Sequence, residues 1–368
     1  MTVKVIGAGL AGSEAAWQLA NRGFSVALYE MKPEKMTPAH HSPDFAELVC
    51  SNSFRGDRLE NAVGLLKEEL RRCGSLIMAC ADATRVEAGG CLAVDRQGFS
   101  AMVTEKVRSH PNITVIPGEI TQVPEGPVII ATGPLTSDAL SDAIGSYFGT
   151  EYLHFFDAAA PLIAADSVDM EKAWWQSRYD RGTPDYVNCA MNPQEYADFV
   201  RELSTAQEAE VHGFEDANVF EGCMPVEVMA RRGADTLRYG VRHRNTFLQS
   251  PRLLDRYYAD RRDPMVAFAG QMTGVEGYVE STASGFLAAV AMAARLSGRE
   301  APDFPRETAI GALGLYVSDR TVENFQPMNV NFSIISPLEK RVRKKAEKNL
   351  AIANRSLEII DALVSAGI

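Results

Sequence analysis

Two of the six cysteines stand in sequence contexts that suit a reactive thiol. Cys50 begins the run Cys-Ser-Asn-Ser, and Cys223 follows Gly222 and comes two residues before Pro225. A thiol reacts as its thiolate, which is favoured at a helix N-terminus or beside a cation such as Arg55. Glycine and proline fix Cys223 in an irregular loop, where structural burial is less natural than it is for Cys50. A buried structural thiol is the open alternative for both cysteines.

A glycine-rich turn near the start of the sequence predicts a dinucleotide site. Gly7 ends a short apolar run, Gly9 lets a pyrophosphate approach the backbone, and Gly12 lets the next helix pack close to the strand. The predicted elements are a strand at 3–6, a helix at 13–21 and a second strand at 24–29. The first amides of that helix are expected to face the phosphates. Glu30 closes the second strand at the spacing where a carboxylate takes the ribose hydroxyls.

Two later segments favour FAD over NAD as the tightly held cofactor. An apolar strand ends in the run Ala-Thr-Gly133, as in flavoproteins that bind two dinucleotides. Farther on, a strand leads to Gly270 and Gln271, and a helix begins near Tyr278, directly after Gly277. This helix is expected to turn its N-terminus toward the isoalloxazine edge. The Tyr278 ring has a face that can stack on a heterocycle, with plain packing as the alternative.

The pattern of elements predicts an α/β fold: a Rossmann-like, glutathione-reductase-like FAD-binding domain with an inserted, smaller α+β domain. Residues 1–150 and 241–368 are assigned to the FAD-binding domain, and residues 151–240, with denser aromatics and shorter strands, to the inserted domain. Other expected elements are helices at 62–72, 96–109 and 337–364, strands within 76–95 and a strand at 113–116. The expected packing stripe of the last helix is Leu338, Val342, Leu350, Ile352, Leu357 and Ile360.

Length, composition, cysteine spacing and net charge exclude several classes of protein. The chain has 368 residues, 46% of them hydrophobic, and no apolar run long enough to span a membrane. The scattered cysteines show neither zinc-binding spacing nor a disulfide framework, so a cytoplasmic protein with reduced thiols and no metal is expected. The net charge of −11 argues against a surface that binds nucleic acid everywhere. The run from Lys340 to Lys348 is a local basic candidate, with a solvated helix face as its alternative.

Six longer motifs are far more specific than the glycine-rich turn. They are Thr37-Pro-Ala-His40, Glu47-Leu-Val-Cys50-Ser-Asn-Ser53, Phe156-Asp-Ala-Ala, Phe220-Glu-Gly-Cys223-Met-Pro-Val-Glu-Val-Met-Ala-Arg-Arg, Ala269-Gly-Gln-Met-Thr-Gly-Val-Glu-Gly-Tyr-Val-Glu-Ser and Asn324-Phe-Gln-Pro-Met-Asn329. Over nearly the whole chain, this set resembles the FAD- and folate-dependent tRNA (uracil-5-)-methyltransferase family, which is related to the GidA-like flavoproteins.

The resemblance implies that the protein makes 5-methyluridine at position 54 in the T-loop of tRNA. The carbon would come from 5,10-methylenetetrahydrofolate, and the reducing electrons from NAD(P)H through FAD. Uracil C5 becomes nucleophilic when a thiolate adds at C6, and Cys223, which matches the family's second cysteine, is assigned to that step. Cys50 matches the first cysteine and is an alternative nucleophile, a group that assists proton removal, or one that protects the site. Tyr278 matches the position expected to stack on the folate pterin.

One stretch departs from the family's pattern. In the family, a longer segment separates the motif ending at Gly233 from the motif beginning at Arg238, whereas here the two are almost adjacent. Either this chain has lost that segment, or the sequence at hand omits a mobile loop. A mobile segment beside Cys223 would suit an element that becomes ordered on tRNA.

Three other functions fit parts of the sequence. The first is methylation of a uracil in ribosomal RNA by the same flavin and folate chemistry. The second is a flavin-dependent thiol-disulfide oxidoreductase that uses Cys50. The spacing Cys-x-x-Ser counts against it, because an internal disulfide needs a second cysteine. The third is a flavin subunit that modifies the wobble uridine of tRNA, which the motif around Cys223 disfavours.

Overall fold

The computed structural model describes residues 2–37, 39–149, 167–176, 186–205, 230, 247–322, 325–340 and 342–368. The chain divides into two compact units. The first comprises Met1–Val86, Gly90–Leu153 and Phe247–Ile368, and the second Glu87–Gly89 and His154–Thr246. Because most of residues 151–240 lies outside the described residues, the inserted α+β domain stays a prediction.

A five-stranded parallel sheet forms the centre of the first unit. In spatial order its strands are β10 (Val266–Phe268), β7 (Val128–Ile130), β1 (Thr2–Ile6), β2 (Ser25–Glu30) and β6 (Ile113–Pro117). The chain winds outward from β1 in both directions, so the strand order reverses between β1 and β7. A ligand of such a sheet binds in the crevice at the carboxyl ends of these two strands. The Rossmann-like α/β fold expected from the sequence is thereby confirmed.

Two small antiparallel sheets complete the described strands. In the first unit, β5 (Cys91–Val94) pairs with β3 (Ser53–Gly56) on one side and with β4 (Arg85–Val86) on the other. In the second unit, β8 (Ala173–Gln176) pairs with β9 (Tyr186–Cys189).

The described helices are α1 (Leu10–Asn21), α2 (Ala62–Arg72), α3 (Leu76–Ala83), α4 (Arg96–Ser109), α5 (Asp138–Phe148), α6 (Pro193–Thr205), α7 (Ser250–Leu253), α8 (Tyr278–Leu296), α9 (Ala309–Val317) and α10 (Lys345–Ser365). Helix α1 packs closely against α8. Gly285 makes this approach possible, because a Cβ there would lie 2.2 Å from the carbonyl oxygen of Ala11.

Two expectations about these elements are wrong. Of residues 76–95, expected to form strands around Gly89-Gly90, residues 85–86 and 91–94 do so as β4 and β5, but residues 76–83 form α3. Ser75 caps this helix by accepting a hydrogen bond from the Met78 amide at 3.2 Å. A continuous apolar run is compatible with a buried strand or a buried helix, and here the cap decides. The last helix begins at Lys345 rather than at 337, and Leu350 is exposed rather than part of its packing stripe.

Buried carboxylates tie distant helices together. Glu69 on α2 is fully buried and accepts hydrogen bonds from the amides of Ala309 and Ile310, at 2.7 and 2.8 Å, and from the Ser356 hydroxyl at 2.5 Å. This one side chain therefore caps the N-terminus of α9 and also binds α10. Burial raises the pKa of Glu69 to about 7, although these three donors favour the ionised form. Glu14 on α1 caps α3 in the same way, through the Ile77 amide.

Candidate active site

A cavity opens in the first unit at the carboxyl ends of the central strands. The cavity, together with the solvent space at its open mouth, encloses about 1100 Å³. Of the predicted cofactor residues, those in its lining are Gly7, Gly9, Glu30, Gly133, Gly270, Gln271 and Tyr278. Gly12 and Gly277 are not among the lining residues, and each instead shapes a turn beside the cavity.

The geometry of the first turn suits a pyrophosphate. Gly7 has φ +92°, and a Cβ there would lie 2.7 Å from the carbonyl oxygen of Ala131. A Cβ on Gly12 would lie 1.8 Å from the carbonyl oxygen of Gly7, so α1 can approach the strand only with glycine there. At Gly9, in contrast, an added Cβ would meet no protein atom within 4 Å. Gly9 therefore leaves open space beside the backbone, which a phosphate group could occupy.

The start of α1 offers hydrogen-bond donors to this space. Gly9 is its N-cap, and no side chain caps the helix. The first amides of a helix have no partner within it, and together with the helix dipole they favour an anion. The nearby carboxylate of Glu30 accepts hydrogen bonds from the amides of Ala8 and Lys32, at 2.8 and 2.9 Å. Each of its oxygens can accept a further bond, so it can still take a ribose hydroxyl.

A second turn faces the same cavity from β10. Gly270 and Gly277 have φ +83° and +113°, which favour glycine. Helix α8 begins directly after Gly277, again without a side-chain cap, and its residues Tyr278 and Ser281 line the cavity. Two uncapped helix N-termini and a glycine turn open to ligand thus surround one space. These residues fit a dinucleotide that carries a pyrophosphate.

Tyr278 connects the Cys50 segment to this cavity. Its hydroxyl oxygen accepts hydrogen bonds from the amides of Cys50 and Ser51, at 2.9 and 3.2 Å. Its ring packs against Phe54, with the ring centroids 5.6 Å apart. Burial raises the pKa of Tyr278 although the two amides stabilise its ionised form, so the hydroxyl keeps its proton. The contact brings together two residues that are 228 positions apart and that the sequence singled out separately.

A buried ion pair makes a second connection between the same segments. Glu280, fully buried on the first turn of α8, binds the guanidinium of Arg55 at 2.5 Å and accepts a hydrogen bond from the Val330 amide at 3.0 Å. Arg55 has φ +64°, an uncommon conformation for this residue. The sequence placed Arg55 as a cation that could activate Cys50. The structure instead shows its charge engaged by Glu280.

Lys67 holds the strand that follows Cys50. Its ammonium is fully buried and donates to the carbonyl oxygens of Phe54, Arg55 and Gly56, at 3.0, 3.1 and 2.8 Å. The pairing of β3 with β5 is irregular between Ser53 and Gly56, so the ammonium takes up carbonyl groups where the ladder is disrupted. Burial lowers the pKa of Lys67 to about 8, although Asp57 lies 3.5 Å away.

Sequence reasoning missed Lys67 and Glu280. One signal was available for Lys67, because α2 buries nearly every residue from 62 to 70, charged ones included. A charged residue among the apolar positions of a helix needs a buried partner. The identity of that partner depends on contacts that sequence spacing does not give.

The remaining thiols differ in exposure. Cys223 lies outside the described residues, and Cys50 is partly buried. Burial raises the pKa of Cys80 to about 11 and also raises that of Cys73, so both are poor nucleophiles. In the part of the chain that the structure describes, no group of His, Cys, Asp and Glu could hold a metal ion. No helix among the same residues is long and apolar enough to cross a membrane.

The sheet order, the two glycine turns and the cavity between them define a Rossmann-like fold of the FAD-binding class. Comparison with known sequences gives the family. The profile of the glucose inhibited division protein A family (GIDA) matches residues 2–239 and 233–300. The methylenetetrahydrofolate--tRNA-(uracil-5-)-methyltransferase TrmFO of Acetivibrio thermocellus is 48% identical, over 99% of this chain and 98% of its own length. The same-named protein of Bacillus subtilis is 46% identical, over 98% of both chains.

The chain therefore belongs to the TrmFO family of methylenetetrahydrofolate--tRNA-(uracil-5-)-methyltransferases. Among solved structures, Aquifex aeolicus GidA in crystal form II matches 98% of this chain and 73% of its own, with a TM-score of 0.62 and 15% identity. Crystal form I of the same protein gives a TM-score of 0.60. At this identity the likeness supports the fold.

The comparisons also bear on the short connection after Gly233. The alignment with the Acetivibrio thermocellus protein spans 429 positions, although this chain has 368 residues. Roughly sixty positions of the relative therefore have no counterpart within the aligned part of this chain. The two stretches matched by the family profile meet at residues 233–239, where the sequence departs from the family's pattern. Residues 231–246 lie outside the described residues.

Proposed function

We propose that this protein methylates C5 of a uracil in tRNA, at position 54 of the T-loop, with 5,10-methylenetetrahydrofolate as the carbon donor and NAD(P)H as the reductant. The observation that carries the proposal is the identity of 46 to 48% to enzymes named for this reaction, over nearly all of both chains. The cytoplasmic location expected from the reduced thiols is part of the proposal.

The residues around the cavity would hold FAD, which supplies the redox chemistry that turns a transferred methylene group into a methyl group. Gly9 and the first amides of α1 would bind the pyrophosphate, and Glu30 would accept a ribose hydroxyl. Gly133, Gly270 and Gln271 line the same cavity and would contact the rest of the cofactor. The N-terminus of α8 would lie toward the flavin, because the glycine turn before α8 and the glycine turn before α1 face the same cavity.

The thiols would act on the uracil. The Cys223 thiolate adds at C6, which makes C5 nucleophilic toward the one-carbon unit. Loss of the C5 proton with departure of tetrahydrofolate would leave an exocyclic methylene on C5. A hydride equivalent from NAD(P)H through FAD would reduce this methylene to the methyl group, and elimination of the Cys223 thiolate from C6 would restore the uracil ring and the free enzyme. Cys50 is an alternative nucleophile, a group that assists proton removal, or one that protects the site. The hydrogen bond from its amide to Tyr278 supports a position at the cavity edge.

Tyr278 would place its ring beside the folate. Its hydroxyl is held by the amides of Cys50 and Ser51, which fixes the orientation of the ring. A fixed aromatic ring at a cavity wall suits stacking on a flat heterocycle such as the pterin.

The decisive experiment supplies the purified protein with methylenetetrahydrofolate, NADPH and unmodified tRNA, followed by nucleoside analysis. We expect 5-methyluridine at position 54, abolished in Cys223→Ala while the yellow flavin stays bound. Retained turnover in Cys223→Ala would refute its role as the nucleophile. Methylation of ribosomal RNA but not of tRNA would favour the ribosomal alternative. NADPH-driven disulfide reduction without methylation would end the proposal.

A further inference from the structure

The basic segment is defined as Lys340, Arg343, Lys344, Lys345 and Lys348, and each of these five residues is exposed. It lies at the start of α10 in a chain whose net charge is −11. Two carboxylates accompany these cations, Glu339 and Glu347, and Glu347 pairs with Lys344 at 2.8 Å.

The placement of these cations opposes helix stability. Lys344 is the N-cap of α10 and offers no side-chain cap, and Lys345 and Lys348 lie in its first turn. The positive end of the helix dipole disfavours cations there by about 0.3–1 kcal/mol each. The same turn holds one acidic residue, Glu347, whose carboxylate pairs with Lys344, so two of its cations keep no acidic partner within the turn. A bound polyanion would offset the cost, because lysine side chains and uncapped helix amides both attract phosphate.

The chain path links the basic segment to the cavity. The Met328 amide donates to the Gly274 carbonyl, and the Glu276 amide donates to the Met328 carbonyl, each at 3.1 Å, so residues 328–330 run along the turn before α8. From Val330 to Lys340 the chain spans at most about 35 Å. On the other side, the Asn349 side chain donates to the carbonyl of Glu60 at 3.0 Å. Glu60 follows Cys50 by ten residues.

We infer that the basic segment binds phosphates of the tRNA substrate while the target nucleotide lies at the cavity. This inference rests on the proposed function, since it takes tRNA as the substrate. Charge complementarity carries it: an RNA helix is a regular row of negative charges, and five exposed cations lie within nine residues of the chain, with one carboxylate, Glu347, among them and a second, Glu339, beside Lys340. Binding of this kind positions the RNA without reading its sequence.

The test compares four full-length proteins: the unchanged protein, Lys345→Gln/Lys348→Gln, the charge-preserving Lys345→Arg/Lys348→Arg, and Lys106→Gln/Arg299→Gln. The last removes the same charge from exposed positions on α4 and after α8. Binding of an unmodified tRNA transcript is measured from 50 to 300 mM KCl. Flavin content, NADPH oxidation and sedimentation are recorded for each protein.

For Lys345→Gln/Lys348→Gln we expect the slope of log K against log salt to become less negative by about 1.5–2, and the Kd at 0.1 M salt to rise roughly 30-fold. The arginine pair and the Lys106→Gln/Arg299→Gln pair should behave as the unchanged protein does. Flavin content and NADPH oxidation should be equal in all four proteins. Thermal stability should not fall in Lys345→Gln/Lys348→Gln, because the change removes two positive charges from the positive end of the helix dipole.

Three results would overturn the inference. The first is an unchanged Kd and salt slope in Lys345→Gln/Lys348→Gln. The second is an equal loss of affinity in the Lys106→Gln/Arg299→Gln control. The third is a change in sedimentation without a change in Kd, which would assign the segment to contact with another copy of this chain. An unchanged protein that reduces its flavin but binds no tRNA would instead refute the proposed function.

Discussion

Replacing Lys67 with methionine is expected to destabilise the protein and to loosen the segment that carries Cys50. Methionine fills nearly the same space but gives no donor, so the carbonyls of Phe54, Arg55 and Gly56 lose a shared ammonium. Each hydrogen bond from a charged donor contributes about 1.5–3 kcal/mol, and burial of the ammonium offsets part of that sum. Removal of one partner from such a buried set costs about 3–5 kcal/mol.

The assay has two readouts. Urea unfolding of the cofactor-free protein gives the free energy of unfolding, and alkylation followed by peptide mass analysis gives the reaction rate of Cys50. Lys67→Met should lose about 3–5 kcal/mol of a total that is 5–15 kcal/mol in most proteins. Its Cys50 should be alkylated faster, because β3 begins three residues later. Lys106→Met, at an exposed position, should stay within about 0.5 kcal/mol of the unchanged protein.

The reasoning about Lys67 would be refuted by a loss of less than about 1 kcal/mol together with an unchanged rate of Cys50 alkylation. A loss of stability with an unchanged rate would limit the role of Lys67 to the core. That outcome would separate the anchoring of β3 from the positioning of Cys50.

Two further predictions concern the cofactor cavity and the helix cap. Gly9→Ala should leave the urea stability of the cofactor-free protein unchanged and weaken FAD binding at least about tenfold, because φ is −70° and the methyl group projects into open space; normal FAD affinity would contradict this. Glu69→Gln should flatten the dependence of stability on pH. Burial raises the pKa of Glu69 to about 7 from 4.5, so its contribution is complete below about pH 4.5 and is lost as the pH rises through 7. Between pH 4.5 and 8 the unchanged protein should lose about 3 kcal/mol more than Glu69→Gln in urea unfolding, and parallel profiles would show that Glu69 does not titrate there.

The elements that position the cofactor were largely predictable from local pattern. Gly7, Gly9 and Gly12 stand at a spacing that one backbone geometry requires, and the structure shows that geometry. Helices 62–72 and 96–109 were predicted with the bounds that α2 and α4 have. Local pattern failed at 76–83, where an apolar run gave no period that separates strand from helix. It failed again at 337–344. The sequence pattern predicted helix there, but the helix begins only at Lys345.

The sequence by itself determined the family and the class of cofactor, because these depend on motifs that are contiguous along the chain. Only the tertiary structure decided what surrounds Cys50. Tyr278 holds its amide, Glu280 engages the nearby Arg55, and Lys67 anchors the strand that follows. Tyr278 and Glu280 lie more than 220 residues from Cys50 and Arg55, respectively. Such pairings arise from the packing of α8 and α2 around one loop, and no spacing along the chain records them.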